Sequence, residues 1–120
     1  DTSDLLKYAL SLKGVPYLYG GTNPNVGLDC SAYTQLVFGK FGIELPRISY
    51  MQFRMGVGIP QSSLESGDLV FFSTNGAGAT HVGIYLGDGN FISATTKGVR
   101  IQNINDNYWS KHYRGSRRVR

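Results

Sequence analysis

Residues 80–95 read Thr80-His81-Val82-Gly83-Ile84-Tyr85-Leu86-Gly87-Asp88-Gly89-Asn90-Phe91-Ile92-Ser93-Ala94-Thr95, and this stretch decides the fold class. Val82, Ile84 and Leu86 alternate with His81, Gly83 and Tyr85, the period of a strand with its first set on a core. Asp88-Gly89 is a strong hairpin signal, because both residue types tolerate the positive φ that tight hairpin turns require. Residues 90–95 then predict the returning strand. If Leu86 pairs with Asn90, His81 lies opposite Thr95, with Ser93 diagonal to it on the same face. The small Gly83 beside His81 leaves room for another element or a substrate to approach.

Working outward, residues 68–73, 99–102 and 113–119 also carry strand patterns, which predicts an antiparallel sheet of about five strands in the C-terminal half. Tyr108-Trp109 falls on a turn or short helix before the last of them. The N-terminal half has a different period. Leu5, Leu6, Ala9, Leu10 and Leu12 predict a helix over 4–13, capped by Ser3 or Asp4 and ended by Gly14 and Pro16. A loop rich in Gly, Asn and Pro spans 20–27. Ala32, Tyr33, Leu36, Val37 and Phe41 then repeat at helical spacing, so Asp29-Cys30-Ser31 stands at a helix start, and Gly42 closes that helix. A short helical segment is expected over 46–53. Helices first and an antiparallel sheet afterwards predict a single α+β domain over residues 1–120, read as a monomer.

Composition narrows the function. At 120 residues with 41% hydrophobic side chains the chain supports one globular core. No apolar run approaches the roughly 18 residues needed to span a bilayer. The opening residues lack a signal-peptide pattern, as expected of a mature or excised domain of a larger secreted protein. The net charge of +4 suits polyanionic surroundings. Much of the excess lies in Arg114, Arg117, Arg118 and Arg120, read as a solvated terminal strand, and no nucleic-acid motif accompanies them. One cysteine and two histidines exclude an internal disulfide and an ordinary structural zinc site. Neither a metal nor a cofactor is implied.

The cysteine is therefore an inert core thiol or a nucleophile. A helix N-terminus offers unpaired N–H groups and the positive end of the dipole, which favour thiolate and predict a lowered Cys30 pKa. The same N–H groups suit a tetrahedral oxyanion. His81, at the mouth of its strand, has the chemistry of a general base for such a thiol, although a strand histidine is often only structural. His112 lies in a polar, aromatic setting and is read as surface. A catalytic imidazole needs a group on its other nitrogen, and the hairpin geometry offers Ser93 and Thr95.

Five segments now occur in order: Pro16-Tyr17-Leu18-Tyr19-Gly20-Gly21, Leu28-Asp29-Cys30-Ser31, Pro46-Arg47-Ile48-Ser49, Gly67-Asp68-Leu69-Val70-Phe71-Phe72 and His81-Val82-Gly83-Ile84-Tyr85. Together they resemble the NlpC-type (NlpC/p-sixty) family of bacterial cell-wall cysteine peptidases, over essentially the whole chain. The resemblance implies a reduced papain-like α+β fold and a secreted or cell-wall-associated hydrolase. Its substrate would be peptidoglycan stem peptides, cut between D-γ-glutamate and a diamino acid such as meso-diaminopimelate. It implies Cys30 as nucleophile, His81 as base and Tyr17 near the oxyanion. Asp29, Ser31, Arg47 and Ser49 match positions lining the acyl side. There Asp29 and the two hydroxyls would meet a free L-Ala amine or the γ-glutamyl group, and Arg47 a carboxylate. One position departs from the family. Where a third catalytic residue is usually His, sometimes Asn or Gln, this chain has Phe91-Ile92-Ser93-Ala94, so Ser93, Thr95 or a water orients His81. Two alternatives keep the resemblance: a hydrolase of poly-γ-glutamate, and a catalytically weak domain that only binds wall material.

Overall fold

The computed structural model describes residues 2–120. In chain order the elements are α1 (Thr2–Ser11), β1 (Thr22–Asn23), β2 (Gly27–Leu28), α2 (Cys30–Gly39), α3 (Ser49–Gln52), β3 (Val57–Gly58), β4 (Leu69–Phe72), β5 (His81–Gly87), β6 (Asn90–Thr95), β7 (Gly98–Asn103), α4 (Asn107–His112) and β8 (Tyr113–Arg118). The first two strands form a small ribbon, and the other six form one antiparallel sheet in the order β3-β8-β4-β5-β6-β7. This is the α+β architecture expected from the sequence, with one strand more than the expected five. The extra strand, Val57–Gly58, pairs with Arg117 and Arg118 at the sheet edge. Two exposed residues carry no periodicity to read. Helix α1 spans Thr2–Ser11 and not the expected 4–13, so Ser3 and Asp4 lie in its first turn. Among the described residues no helix is long and apolar enough to cross a membrane.

The sheet is covered on both faces. On one, Val82, Ile84, Ile92, Ala94, Leu69 and Phe71 pack with Leu5 and Ala9 of α1 and Ala32, Tyr33, Val37 and Phe38 of α2. The Tyr33 hydroxyl, fully buried, donates to the Ala9 carbonyl at 2.8 Å and ties the two helices together. On the other, Val70, Phe72, Phe91 and Ile104 pack with Tyr85, Trp109 and Tyr113. Alternation thus places Val82 and Ile84 on the helical core as expected, but the His81 face also lies under an aromatic layer.

The hairpin differs from expectation at its tip and agrees below it. Gly87 pairs with Asn90 across a two-residue turn, Asp88-Gly89. Both turn residues have positive φ, 55° and 84°, as a type I′ turn demands. Leu86 is then a bulge, and the extra residue returns the ladder to Tyr85↔Phe91 and Ile84↔Ile92. The register below the bulge is the one that brings Ser93 diagonal to His81. Gly83 does not open a path for substrate. A Cβ there would lie 2.8 Å from the Phe91 ring, 2.9 Å from the Ile92 carbonyl oxygen and 3.0 Å from the Ser93 Cβ. The missing side chain makes room for Phe91 and Ser93 instead.

The C-terminal arginines are not all solvated charge. Arg118 reaches the fully buried Asp68 with Nε at 2.8 Å and Nη2 at 2.9 Å, and Arg120 approaches the same carboxylate at 3.5 Å. Arg117 lies over the Phe53 ring at 5.3 Å. A buried carboxylate needs such partners, and its position in the sequence, fifty residues away, hid them.

Gly83→Ala is expected to lower stability by about 1–3 kcal/mol, the usual penalty for overpacking a filled core. Urea unfolding measures it, and an unchanged midpoint would show that Phe91 and Ser93 have slack.

Candidate active site

Helix α2 starts where it does because Asp29 caps it. Asp29 is extended, with φ −87° and ψ 176°, and its Oδ1 accepts the Ala32 N–H at 2.8 Å. Cys30 is therefore the first helical residue. Arg47 grips the same carboxylate with both terminal nitrogens, at 3.1 and 2.9 Å, and donates to the Ser31 hydroxyl at 3.0 Å. The loop bearing Arg47 is held by the buried Gln52, whose amide nitrogen donates to the Pro46 and Ser31 carbonyls at 2.8 and 3.1 Å. Ser49 is buried and donates to the Ala79 carbonyl at 2.6 Å, tying α3 to the segment that leads into β5.

The Cys30 thiol is half-buried and points at that same segment, with Sγ 4.0 Å from the Thr80 carbonyl oxygen. Its pKa runs opposite to expectation. Burial pushes the thiol up to about 11, against the pull of the Val82, Ser31 and Cys30 backbone N–H groups, and the Asp29 charge adds to the rise. The helix N-terminus acts in the expected direction but is outweighed by desolvation. His81 is buried, and desolvation lowers its pKa from 6.5 to about 4. The resting thiol and imidazole are thus both neutral. Burial and the nearby Cys30 and Asp29 charges raise the pKa of the Tyr17 phenol.

The His81 ring is held on three sides. Its Nε2 lies 3.0 Å from the Ser93 hydroxyl, the Trp109 ring lies 5.3 Å away, and the Phe72 ring 6.2 Å away. Ser93 in turn donates to the Gln102 amide oxygen at 3.1 Å. Thr95 does not bond His81; its hydroxyl turns back to the Gly98 carbonyl at 3.0 Å. A cleft of about 850 Å³ gathers Tyr17, Cys30 and His81 with Tyr19, Thr80, Lys97, Arg100, Gln102, Asp106 and Trp109. Asp29, Ser31, Arg47 and Ser49 lie outside its lining, the first three bound to one another behind Cys30. His112 is half-buried, stacked on Tyr108 at 4.3 Å.

Gln102 and Trp109 were the site neighbours least visible in sequence. The register Phe91↔Gln102 and Ser93↔Arg100 makes Gln102 diagonal to Ser93, as Ser93 is to His81, so reading the second hairpin as closely as the first would have found it. Trp109 arrives on a six-residue helix whose docking has no local signal.

The NlpC/P60 family profile matches residues 14–118. The murein DD-endopeptidase MepS/murein LD-carboxypeptidase of Escherichia coli is 46% identical over 109 residues, covering 89% of this chain and 57% of that protein. The bifunctional muramidase/DL-endopeptidase CwlT of Bacillus subtilis is 39% identical over 110 residues, covering 90% of this chain and 33% of that protein. The chain thus spans little more than half the length of the first relative and a third of the second. The crystal structure of an NlpC/P60 family protein from Bacillus cereus superposes with a TM-score of 0.91 at 36% identity, over 99% of this chain and 40% of that one.

The lowered His81 pKa links stability to pH. In the unfolded chain the imidazole takes up a proton near its ordinary 6.5, but in the folded protein only near 4. Between those values the unfolded state binds more protons, so stability falls as pH drops through this window, by about 3 kcal/mol in full. His81→Gln should remove that share. Urea unfolding of both proteins from pH 4 to 7 tests it, and parallel curves would contradict a buried neutral imidazole.

Proposed function

The chain belongs to the NlpC/P60 family, and from that premise we propose that it is a cysteine endopeptidase acting on the peptide stems of peptidoglycan. Cys30 is the nucleophile, His81 the general base and Ser93 the group that orients the imidazole. The observation that carries this reading is the shared cleft. Cys30 opens a capped helix against the backbone that flanks His81, and the His81 Nε2 is tied to Ser93 at 3.0 Å. Nδ1 is then the nitrogen available to the thiol.

Because the resting pair is neutral, sulfur attacks the carbonyl carbon as its proton passes to His81. The oxyanion forms beside the backbone N–H groups at the start of α2 and the Tyr17 hydroxyl. The His81 proton then goes to the leaving amine as the C–N bond breaks, leaving a thioester on Cys30. A water that gives its proton to His81 attacks the thioester, and the proton returns to sulfur as the acid departs.

The finer reading is the bond between γ-D-glutamate and a diamino acid, a D–L linkage. The name of the relative CwlT, a DL-endopeptidase, supports it. The Asp29–Arg47 pair lies outside the cleft lining, but it adjoins Cys30 in the chain and the Arg47 side chain is 36% exposed, so it is the charged pair that a carboxylate or an amine of the acyl portion would meet in this reading. MepS is named for a DD bond, which makes the D-alanyl cross-link the competing substrate. The murein and muramidase names of the relatives support peptidoglycan as the substrate, and the His81–Ser93 bond favours catalysis over binding alone. The whole protein is expected to work in the cell wall, outside the cytoplasm.

Digestion of defined muropeptides followed by mass spectrometry tests both levels. Cleavage at γ-D-glutamyl bonds is expected; cleavage only at D-alanyl cross-links would replace the finer reading. Cys30→Ala should lose several orders of magnitude in rate, as removal of a nucleophile does, and near-normal turnover would end the assignment. Activity should survive EDTA and fail with thiol-alkylating reagents. Ser93→Ala should lose only about tenfold to a hundredfold, because orientation is one part of the machinery.

A further inference from the structure

The geometry points to Gln102 as a positioning residue: its amide oxygen sets the direction of the Ser93 hydroxyl and thereby holds His81 in the tautomer protonated on Nε2. This rests on the reading of His81 as the base for Cys30. Ser93 is fully buried, with its oxygen 3.0 Å from the His81 Nε2 and 3.1 Å from the Gln102 Oε1. A serine hydroxyl has one proton, and an amide oxygen can only accept. The proton therefore goes to Gln102, and a lone pair faces His81, so Nε2 must be the donor. Nδ1 then carries the lone pair that takes the thiol proton.

A hydroxyl alone would not make this choice. With no acceptor behind it, Ser93 can donate to Nε2 as readily as accept from it, and the first arrangement puts a proton on Nδ1, where it blocks the base. Nor does a charge decide. The hydrogen-bond and ring contacts of the imidazole are to uncharged groups, Ser93 of β6, Phe72 of β4 and Trp109 of α4, and the charged side chains of the same cleft, Lys97, Arg100 and Asp106, make no ion pair or hydrogen bond with it among the described residues. The direction comes from the hydrogen-bond chain, which crosses β5, β6 and β7 on two successive diagonals. The other end of the amide, Nε2, is buried and among the described residues has no partner, so the Ser93 hydroxyl is the one hydrogen-bond contact that Gln102 makes through its amide.

Two measurements test this. The first is a double-mutant cycle on muropeptide turnover. Gln102→Met should lower kcat about tenfold with KM unchanged in the wild-type background, the scale of a mispositioned base, and cause no further loss in Ser93→Ala. Equal losses in both backgrounds, or a change in KM alone, would overturn the proposal in favour of a structural or substrate-contact role. The second is nitrogen-15 NMR of the labelled His81 ring, which reads the tautomer without turnover. The wild type should show the proton on Nε2, and Gln102→Met, or Gln102→Asn if the methionine variant folds poorly, should show a mixture. A wild-type proton on Nδ1, or an unchanged tautomer in both variants, would overturn it. Should Cys30→Ala remain active, the assignment of the nucleophile fails while the tautomer measurement still judges Gln102.

Discussion

The carboxylate of Asp29 is the constraint on which the site is built. It caps α2 through the Ala32 N–H, and so makes Cys30 the first residue of the helix. It also receives both terminal nitrogens of Arg47, fixing the loop that the buried Gln52 holds from the other side. A negative charge at a helix N-terminus is favourable to the helix and unfavourable to a thiolate one residue away. Arg47 offsets that conflict by neutralising the carboxylate at close range. The pair gives Cys30 a firm helix start without leaving a full negative charge beside it.

The second constraint is dryness. The His81 ring is enclosed by Phe72, Trp109 and Ser93, and Cys30 faces the backbone before β5. Burial pushes the thiol up to about 11 and the imidazole down to about 4. Both shifts disfavour charge, so the proton stays on sulfur until a substrate carbonyl is at hand to accept the developing charge. The N–H groups of the helix start act most strongly on that developing charge where the surroundings are least polar.

Much of this arrangement was legible in the sequence, because it rests on local rules. The period of 2 over residues 81–86, the Asp-Gly turn and the helical spacing after Cys30 each encode one element, and the family resemblance ordered them. What escaped depends on tertiary context. The bulge at Leu86 arises because a tight two-residue turn and the core register differ by one residue; period alone cannot see such a mismatch. The two-residue strand β3 has no pattern, and the partners of Asp68 lie fifty residues away. The direction of the Cys30 shift was missed because the helix dipole is a local feature, whereas desolvation depends on everything packed around it. Gly83 leaves room for a neighbouring element, as its small size implied, and of the two occupants the sequence allowed it is β6, through Phe91 and Ser93, that takes the space and not substrate.

The packing at Gly83 also bears on how a serine can stand where the resemblance to the family implies a histidine. A serine side chain is short, so it reaches an imidazole on the next strand only if the diagonal between them is open. Gly83, directly opposite Ser93 in this register and next to His81 on the same face, leaves that space free, and a Cβ there would meet the Ser93 Cβ at 3.0 Å. Reach alone is not enough. A hydroxyl has no fixed direction and takes the one its other neighbour imposes. In the proposed arrangement part of the orienting task therefore falls one strand further on, to Gln102 of β7. The bare backbone of Gly83, the short hydroxyl of Ser93 and the amide of Gln102 form one unit spread over three strands, and none of the three explains the position of the His81 ring without the others.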